Sequence, residues 1–397
     1  MKAGWQVKTL GESCFIARGG SPRPIQEFLT NDADGVNWIK ISDATASDKF
    51  IFKTKEKIKP SGISRSRLVK EGDFILSNSM SFGRPYVMKT SGCIHDGWLV
   101  LSEYEKYFDQ GFLYHLLGSP VVFEQFNNLA AGSTVRNLNI ELASRVVLPV
   151  PPIEQQQRLV FILDQAFEGI AKARVNAEQN LQNARALFAS HLQSVFTQRG
   201  EGWTEEKLAD LCEVKDGTHD SPQYVPAGIP FVTQKNIREN GLSFETTKYI
   251  TAVDHQKFYK RSNATVNDLL ISMIGANRGM ACLVDDNRVF SIKNVGLIKS
   301  NHLRILPKFL LYFLKSPKAL GYVKAQSKGG AQEFIGLTEL RKFPIVLPGL
   351  SKQQIIISQL DGLSSETQRL EALYQRKIAL MDELKKSLLQ QAFAGEL

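Results

Sequence analysis

The chain repeats one pattern twice, at a spacing that stays close to 197 residues. LPVPPIEQQQRLVFILDQ occupies residues 148–165, and LPGLSKQQIIISQLDG occupies residues 347–362. Each stretch has Leu-Pro, a polar step with paired glutamines, an apolar run and Leu-Asp. Further matches follow in the same order at spacings of 193 to 198 residues: Trp5 with Trp203, Cys14 with Cys212, Gly35–Ile39 with Gly228–Val232, and Phe196 with Phe393. The shared order indicates internal duplication; two unrelated domains with coincidental matches are the alternative.

Length and composition limit the class of protein. The chain has 397 residues, of which 43% are hydrophobic, as expected for two or three domains with buried cores. No run of about 18 apolar residues occurs, which predicts that no helix spans a membrane. The first residues, MKAGWQVKTLGES, lack the apolar core of a signal peptide, so we expect a cytoplasmic protein. The four cysteines are far apart, which favours reduced thiols over disulfides or a zinc site.

The charge balance is basic. The formal net charge is +9 and the isoelectric point is about 9.2. A basic balance favours a polyanionic partner such as nucleic acid, although ordinary surface solubility would also account for it. The excess of Lys and Arg falls mainly in residues 1–147 and 200–346 and not in the segments that contain the repeated motif.

Each half of the chain has the same organisation. We predict a first globular domain over residues 1–150, a long helix over 151–199, a second globular domain over 200–348 and a second long helix over 349–397. Strand-like segments precede short helical patterns in both blocks, which indicates an α+β fold. The predicted strands are residues 38–41, 74–77, 98–102, 231–232, 269–273 and 295–298, and the predicted helices are residues 110–117 and 307–315.

The two long segments have the pattern of a coiled coil. Apolar residues recur at alternating steps of three and four over about 45 residues, with proline only at the start of each segment. The predicted seam contains Leu163, Ile170 and Leu187 in the first segment and Leu363, Leu370, Leu384 and Leu388 in the second. Antiparallel pairing predicts a spacer with one globular domain at either end and pseudo-two-fold symmetry. The alternative is that each helix packs only on its own domain.

No catalytic signature occurs in the chain. The sequence lacks a G-x-x-x-x-G-K-[ST] loop, a G-x-G-x-x-G turn, H-E-x-x-H and G-x-S-x-G. Its six histidines are dispersed without the spacing of metal ligands. We therefore predict no catalytic residues and no metal site, which favours a binding protein.

Loops in both blocks combine basic residues with short polar ones, as DNA-contacting loops do. Lys and Arg neutralise phosphates, whereas Arg, Asn and Gln form paired hydrogen bonds with base edges. Gly83-Arg84 and Arg278-Gly279 follow corresponding strands, and we predict them to read bases. The full set of predicted DNA-binding residues is Ser21, Arg23, Arg65, Arg67, Ser77, Asn78, Arg84, Ser133, Arg136, His219, Gln234, Lys235, Asn236, Ser272, Asn277, Arg278, Lys328 and Gln332.

The chain resembles the specificity subunit of type I restriction–modification systems over nearly its whole length. The resemblance rests on GGSPRPIQEFLTNDADGVNWIKISD (19–43), GDFILSNSMSFGRPY (72–86), residues 130–173 and LLQQAFAGEL (388–397). The helix and its entry are the most specific part. The second entry departs from the family pattern, because Leu350-Ser351-Lys352 replaces Pro152-Ile153-Glu154.

This resemblance implies a non-catalytic DNA-binding subunit. The two globular domains would be target-recognition domains, each of which would read one half of a split, asymmetric DNA target. The helices would set the gap between the two halves of the target. The expected partners are double-stranded DNA, two modification subunits that methylate adenine, and restriction subunits. The subunit itself would carry no cofactor; S-adenosylmethionine, ATP and magnesium would belong to the partners.

Two other classes of function remain open from the residues alone. A fused methyltransferase or nuclease would show activity when the purified chain is assayed with S-adenosylmethionine or metal. A scaffold, or a regulator that binds DNA without modification partners, would lack neighbouring genes for a methyltransferase and a helicase-like nuclease.

Overall fold

The computed structural model describes residues 4–78, 83–130, 138–198, 200–300, 302–329 and 333–397. Two compact units make up the chain. Unit 1 consists of Met1–Ala177 and Arg376–Leu397, and unit 2 consists of Glu178–Gln375. Both units combine small β-sheets with helices, which confirms the predicted mixed α/β architecture. The boundaries between the units fall inside the two long helices, so each unit contains part of both.

The first secondary-structure elements of the chain lie in unit 1. Its strands are β1 (Gln6–Thr9), β2 (Phe15–Arg18), β3 (Leu29–Thr30), β4 (Val36–Ile39), β5 (Phe50–Ile51), β6 (Glu56–Ile58), β7 (Arg67–Val69), β8 (Phe74–Ser77), β9 (Pro85–Met88), β10 (Gly92–Ile94), β11 (Trp98–Ser102) and β12 (Val147–Val150). Its helices are α1 (Leu10–Ser13), α2 (Ile41–Thr45), α3 (Gln110–Leu117), α4 (Pro120–Ala130) and α5 (Ile140–Ser144), and the long helix α6 (Ile153–Thr197) starts here.

The strands of unit 1 form two five-stranded sheets and a two-stranded ribbon. The strand orders are β2-β11-β8-β9-β5 and β3-β6-β4-β10-β7, and β1 pairs with β12. Strands β4 and β10 run parallel, with Ile39 beside Ile94. The predicted strands 74–77 and 98–102 are confirmed. The predicted strand 38–41 ends at Ile39, because the Asp43 carboxylate accepts the N–H of Lys40 at 2.9 Å and starts α2.

Unit 2 continues the series. Its strands are β13 (Thr204–Lys207), β14 (Cys212–Asp216), β15 (Ile229–Val232), β16 (Ile237–Arg238), β17 (Gly241–Leu242), β18 (Lys248–Ile250), β19 (Leu269–Ser272), β20 (Ala281–Leu283), β21 (Ser291–Ile292), β22 (Val295–Ser300) and β23 (Pro344–Leu347). Its helices are α7 (Leu208–Leu211), α8 (Ala252–Ser262), α9 (Pro307–Lys315), α10 (Pro317–Gln326) and α11 (Leu337–Arg341), followed by the long helix α12 (Leu350–Ala394).

The sheets of unit 2 repeat those of unit 1. The order β14-β22-β19-β20 matches β2-β11-β8-β9, and β18-β15-β21 matches β6-β4-β10. The parallel pair also recurs, because Val232 lies beside Ile292 as Ile39 lies beside Ile94. β13 and β23 form the same ribbon as β1 and β12. The internal repeat is therefore structural, and residues of the two units can be compared position by position.

Each copy of the paired-glutamine motif connects the start of a long helix to the α/β part of its unit. Gln156 and Gln353 are fully buried and use their amides in the same way. The Gln156 oxygen accepts the N–H of Asp109, and its amide nitrogen donates to the carbonyls of Tyr107 and Pro151, all at 2.8 Å. The corresponding bonds of Gln353 involve the N–H of Leu306 (2.9 Å) and the carbonyls of Arg304 (3.0 Å) and Pro348 (2.8 Å). A buried amide with all these bonds satisfied fixes the helix direction.

The repeated phenylalanine closes the opposite end of each long helix. Phe393 of α12 meets Phe112 of α3 edge-on at 5.4 Å between ring centroids in unit 1. Phe196 of α6 meets Phe309 and Phe313 of α9 in unit 2, at 5.4 and 5.3 Å. Edge-to-face pairs of this kind contribute roughly 0.5–1.5 kcal/mol beyond the area they bury.

The long helices pair antiparallel within each unit. In unit 1, Arg174 of α6 forms an ion pair with Asp382, and Phe167 lies under the Lys385 ammonium at 4.9 Å. Lower residue numbers in α6 thus meet higher numbers in α12. In unit 2, Arg185 Nε lies 3.0 Å from Glu371, and the cluster that contains Leu192 and Phe196 of α6 includes Ile356, Ile357 and Leu360 of α12.

Five of the seven predicted seam residues are at least partly buried, and two are exposed. Leu163 is 1% exposed, and Ile170, Leu363, Leu370 and Leu388 are partly buried. Leu187 and Leu384 are about half exposed, at 50% and 49%, and lie outside the seam. Phe188, the neighbour of Leu187, packs against the core of unit 2, whereas residues 382–387 around Leu384 are all exposed. A helix of 3.6 residues per turn drifts by about 20° per heptad, which moves the buried stripe by one position.

Candidate nucleic-acid interface

A glycine begins the same loop in both units. A Cβ atom on Gly19 would lie 2.0 Å from the carbonyl oxygen of His95, and one on Gly217 would lie 2.2 Å from that of Ile292. Only glycine tolerates such an approach. We call the resulting junctions the unit 1 corner (Gly19–Arg23 with His95–Gly97) and the unit 2 corner (Gly217–Asp220 with Asn294).

In the unit 1 corner, Asp96 organises the surrounding side chains. Its carboxylate accepts a hydrogen bond from the Ser21 hydroxyl at 2.6 Å and lies 3.7 Å from the Arg23 guanidinium. Its carbonyl accepts from Arg18 Nε at 3.0 Å and from Asn78 Nδ2 at 2.8 Å. The hydrogen bond from Ser21 and, less strongly, the charge of Arg23 hold the pKa of Asp96 below its usual value. Asp96 is therefore an ionised acceptor beside an exposed arginine.

The unit 2 corner has the same bond between different side chains. His219 Nδ1 lies 2.6 Å from Asn294 Oδ1, and its Nε2 lies 3.0 Å from Asp216. Asp216 is also held by the Arg261 guanidinium at 2.6 and 2.9 Å. The strand registers align Asn294 with Asp96 and His219 with Ser21. Asn294 has φ 52°, a conformation that asparagine tolerates better than most residues.

Two concave regions open beside the unit 2 corner. A cleft of about 500 Å³ is lined by Tyr224, Phe231, Thr233, Gln234, Lys235, Asn236, Thr246, Lys248, Ile274, Lys293 and Asn294. A smaller one of about 300 Å³ is lined by Thr218, His219, Asp220, Lys257, Phe258 and Arg261. Both regions combine basic side chains with hydrogen-bonding groups, as an anionic ligand requires.

Several predicted DNA-binding residues are exposed. They are Arg23, Arg65, Arg67, Arg84, His219, Lys235, Asn277 and Lys328, with Ser21 and Gln234 partly buried. Ser21, Arg23, His219, Gln234 and Lys235 lie at the corners or in the larger cleft. Ser133, Arg136 and Gln332 lie outside the described residues. The DNA-binding role of every residue in this set stays a prediction.

Four predicted residues are buried in the structure, although one of them, Asn236, lines the larger cleft. Ser77, Asn78, Asn236 and Ser272 are at most 3% exposed. Asn78 supports the carbonyl of Asp96. The Asn236 oxygen accepts the N–H of Thr233 at 2.8 Å, and its nitrogen donates to Ser243 and Thr247. These side chains satisfy buried backbone and hydroxyl groups and so shape the loops.

The two arginines predicted to read bases are not in equivalent positions. Gly83 and Gly279 correspond, because both have a positive φ and donate to the last residue of a matching strand. Arg84 follows its glycine, whereas Arg278 precedes its own. The Arg84 side chain is 51% exposed, 3.9 Å from Asp48. The Arg278 side chain is 16% exposed and is held by Gly275, Ser327 and Glu333.

Sequence reasoning missed several residues of the corners and the cleft. These are Arg18, Asp96, Asp216, Tyr224, Lys248, Lys257, Arg261, Lys293 and Asn294. A signal existed in the repeat, since CIHDGW (93–98) and SIKNVG (291–296) occupy matching strand ends. It becomes visible only when the two halves are aligned by strand register.

The described part of the chain contains no group of His, Cys, Asp and Glu that could hold a metal ion. Burial raises the pKa of the Cys14 and Cys282 thiols to about 12, which makes them poor nucleophiles. Among the helices that the structure describes, none is both long and apolar enough to span a membrane.

Comparisons with known proteins agree on one family. The family model described as "Type I restriction modification DNA specificity domain" matches residues 2–179 and again residues 200–380. The EcoBI specificity subunit of Escherichia coli is 22% identical over 93% of this chain and 81% of its own length. The MjaIX specificity subunit of Methanocaldococcus jannaschii is 21% identical over 99% of this chain and 93% of its own.

Two solved structures share the fold. A chain from a structure of an assembling type I restriction–modification system aligns with a TM-score of 0.82, at 20% identity, over 100% of this chain and 99% of its own. The HsdS subunit of Thermoanaerobacter tengcongensis aligns with a TM-score of 0.66, at 20% identity, over 100% and 98%.

Proposed function

The chain belongs to the type I restriction modification DNA specificity family, and from this premise we propose that each of its units reads one half of a split, asymmetric DNA target. Its relatives are named specificity subunits of type I restriction enzymes, and the chain is accordingly a non-catalytic subunit that gives a restriction–modification complex its DNA sequence preference. What we propose is how the target is divided between the units and which residues read it.

The observation that carries the proposal is the pair of corners. The backbone frame is the same in both units, yet Ser21–Asp96 in unit 1 is replaced by His219–Asn294 in unit 2. The hydrogen bond itself is retained at 2.6 Å in both. A duplicated frame with different donors and acceptors at one exposed position is what two different half-targets would require.

The chemistry of the corners suits base edges. Arginine pairs with the two acceptors of guanine, asparagine with adenine, and a carboxylate accepts from cytosine. In unit 1, Arg23 is suited to guanine and Asp96 to cytosine. In unit 2, Asn294 is suited to adenine. The exposed Arg65, Arg67 and Arg84 would add phosphate or base contacts around the unit 1 corner.

The long helices supply the gap and the docking surface in this proposal. The antiparallel contacts within each unit support a continuous helix pair whose length sets the separation of the half-targets. Apolar side chains remain on its outer faces, among them Phe161 (65% exposed), Val175 (64%) and Leu384 (49%) in unit 1 and Leu187 (50%) in unit 2. We propose that modification subunits cover them, since exposed apolar residues of this kind often mark interfaces.

The partners would provide the chemistry. We propose two modification subunits, which use S-adenosylmethionine to methylate adenine, and restriction subunits, which use ATP and magnesium. This chain would position them on double-stranded DNA and would need no cofactor of its own.

Methylation mapping tests the proposal directly. Host DNA is sequenced for methyladenine with this gene intact, with it deleted, and with the deletion complemented. We expect one bipartite, asymmetric motif that disappears on deletion and returns on complementation. A continuous palindromic motif, or methylation that is unchanged by the deletion, would contradict the proposal.

A further inference from the structure

The larger cleft of unit 2 is positively charged. Three of its lining residues are lysines, Lys235, Lys248 and Lys293, and its described lining contains no Asp or Glu. The volume of about 500 Å³ is large enough for part of a nucleic-acid strand. Lys235 was predicted from the sequence, but Lys248 and Lys293 come from distant strand ends and meet only in the fold.

Lys248 and Lys293 contact uncharged groups. The Lys248 ammonium lies 4.4 Å from the centre of the Tyr224 ring. The Lys293 ammonium donates to the Ser221 hydroxyl at 2.6 Å. Neither contact supplies a negative charge, so the attraction for an anion is not cancelled at these two sites.

The fold does not require these lysines. Strand pairing aligns Lys248, opposite Phe231, with Glu56, opposite Trp38. The parallel pair aligns Lys293 with His95. In unit 1, Glu56 instead forms an ion pair with Lys40 at 2.8 Å, and His95 lies against the rings of Trp38 and Trp98.

We infer that this cleft binds the phosphodiester backbone of one DNA strand, beside and distinct from the base-contacting corner. The inference rests on the proposed function, because it assumes that unit 2 contacts DNA. Lysine is a point charge suited to phosphate and carries little base preference. Base contacts would be made by the neighbouring hydrogen-bonded pair His219–Asn294. Unit 2 therefore grips the DNA backbone through two lysines whose counterparts in unit 1 are Glu56 and His95.

The test is the salt dependence of DNA binding by the full chain assembled with its modification subunits. K248Q/K293Q removes two charges from the cleft, and K207Q/K342Q removes two from exposed positions of unit 2 outside it. Each lost phosphate contact should reduce the slope of log K against log salt by about 0.9. We expect a reduction of about 2 for the cleft variant and little change for the control. Methylation mapping should show both half-targets unchanged in both variants.

The outcomes separate the inference from the function on which it rests. If the wild-type complex prefers its bipartite target and the slope of the cleft variant equals that of the control, the cleft binds no DNA phosphate. If the cleft variant instead changes the bases read by unit 2, the cleft reads sequence and the inference is wrong. If the wild-type complex has no target preference, the proposed function fails first. The affinity of the complex for a free mononucleotide is a further check. If K248Q/K293Q loses mononucleotide binding but keeps the wild-type slope of log K against log salt for DNA, the inference is wrong.

Discussion

At the scale of single residues, exposure separates Arg84 from Arg278. Changing Arg84 to Ala should relax one half-target, at about 1–3 kcal/mol if its guanidinium pairs with guanine. Changing Arg278 to Ala should act on the loop instead, because Glu333 and the Gly275 carbonyl lose their partner. Methylation mapping reports the first effect, and hydrogen exchange over residues 275–279 reports the second. Arg369 on α12 serves as an exposed control.

If replacing Arg278 relaxes a half-target and replacing Arg84 changes only hydrogen exchange in the loop, the assignment of roles to the two arginines is wrong. A change in both half-targets on replacing Arg84 would also be inconsistent with units that read separately.

His115 makes unit 1 sensitive to pH. Its Nε2 lies 2.7 Å from Asp164, yet burial outweighs that hydrogen bond and lowers the pKa of His115; Lys49 and Lys385 act in the same direction. Below about pH 6.5 the unfolded chain therefore binds a proton that the folded chain does not. Stability should fall as the pH drops through this value towards the lower pKa of the folded state.

The corresponding residue of unit 2 supplies the matched variant. Tyr312 donates its hydroxyl to Asp361 as His115 contacts Asp164. The change H115Y should remove part of the acid-induced loss of stability, and Y312H should add to it. Unfolding free energies from about pH 5.5 to pH 8 measure both. If H115Y and the wild type lose stability in parallel, His115 is not responsible.

At the scale of secondary-structure elements, the long helices have an inner and an outer face. Leu163→Asp places a charge at a position that is 1% exposed, which should cost several kcal/mol and reduce thermal stability. Leu384→Asp changes a residue that is 49% exposed and should leave the helical content unchanged. We expect it instead to weaken assembly with the modification subunits.

Circular dichroism and size-exclusion chromatography of the assembled complex distinguish the two effects. Ala379→Asp, at another exposed position of α12, is the control. A complex of normal stoichiometry and affinity with Leu384→Asp would remove this side chain from the docking surface.

At the scale of the whole molecule, both long helices pass from one unit into the other near Ala177 and Gln375. One heptad inserted after Glu178 and one after Gln375 adds about 10 Å of helix while keeping the seam in phase. DNA rises by about 3.4 Å per base pair, so the gap between half-targets should lengthen by about three base pairs. Methylation mapping measures the gap and the bases together.

A control insertion of the same length after Gly200, outside both helices, should leave the gap unchanged. If the helix insertion rewrites the bases and keeps their separation, the helices do not set the gap.

Much of the architecture could be predicted from local patterns. The duplication, the two long helices and several strands follow from repeats and periodicities that lie within short stretches of chain. The strand Phe74–Ser77 and the helix Gln110–Leu117 agree with the prediction to the residue. The paired glutamines were recognised as a repeated signal, although their role as buried anchors was not.

The composition of the candidate site depended on tertiary contacts. Ser21 and Asp96 are 75 residues apart and meet because β2 and β11 pair antiparallel, with Arg18 beside Leu99. Asn78 and Asn236 look like base-reading residues in sequence, but the fold buries them, because a polar side chain is equally able to satisfy buried backbone groups. Tertiary packing also decided which face of each 45-residue helix is buried. The apolar stripe drifts slightly around the helix with each heptad, and this drift accumulates along the helix.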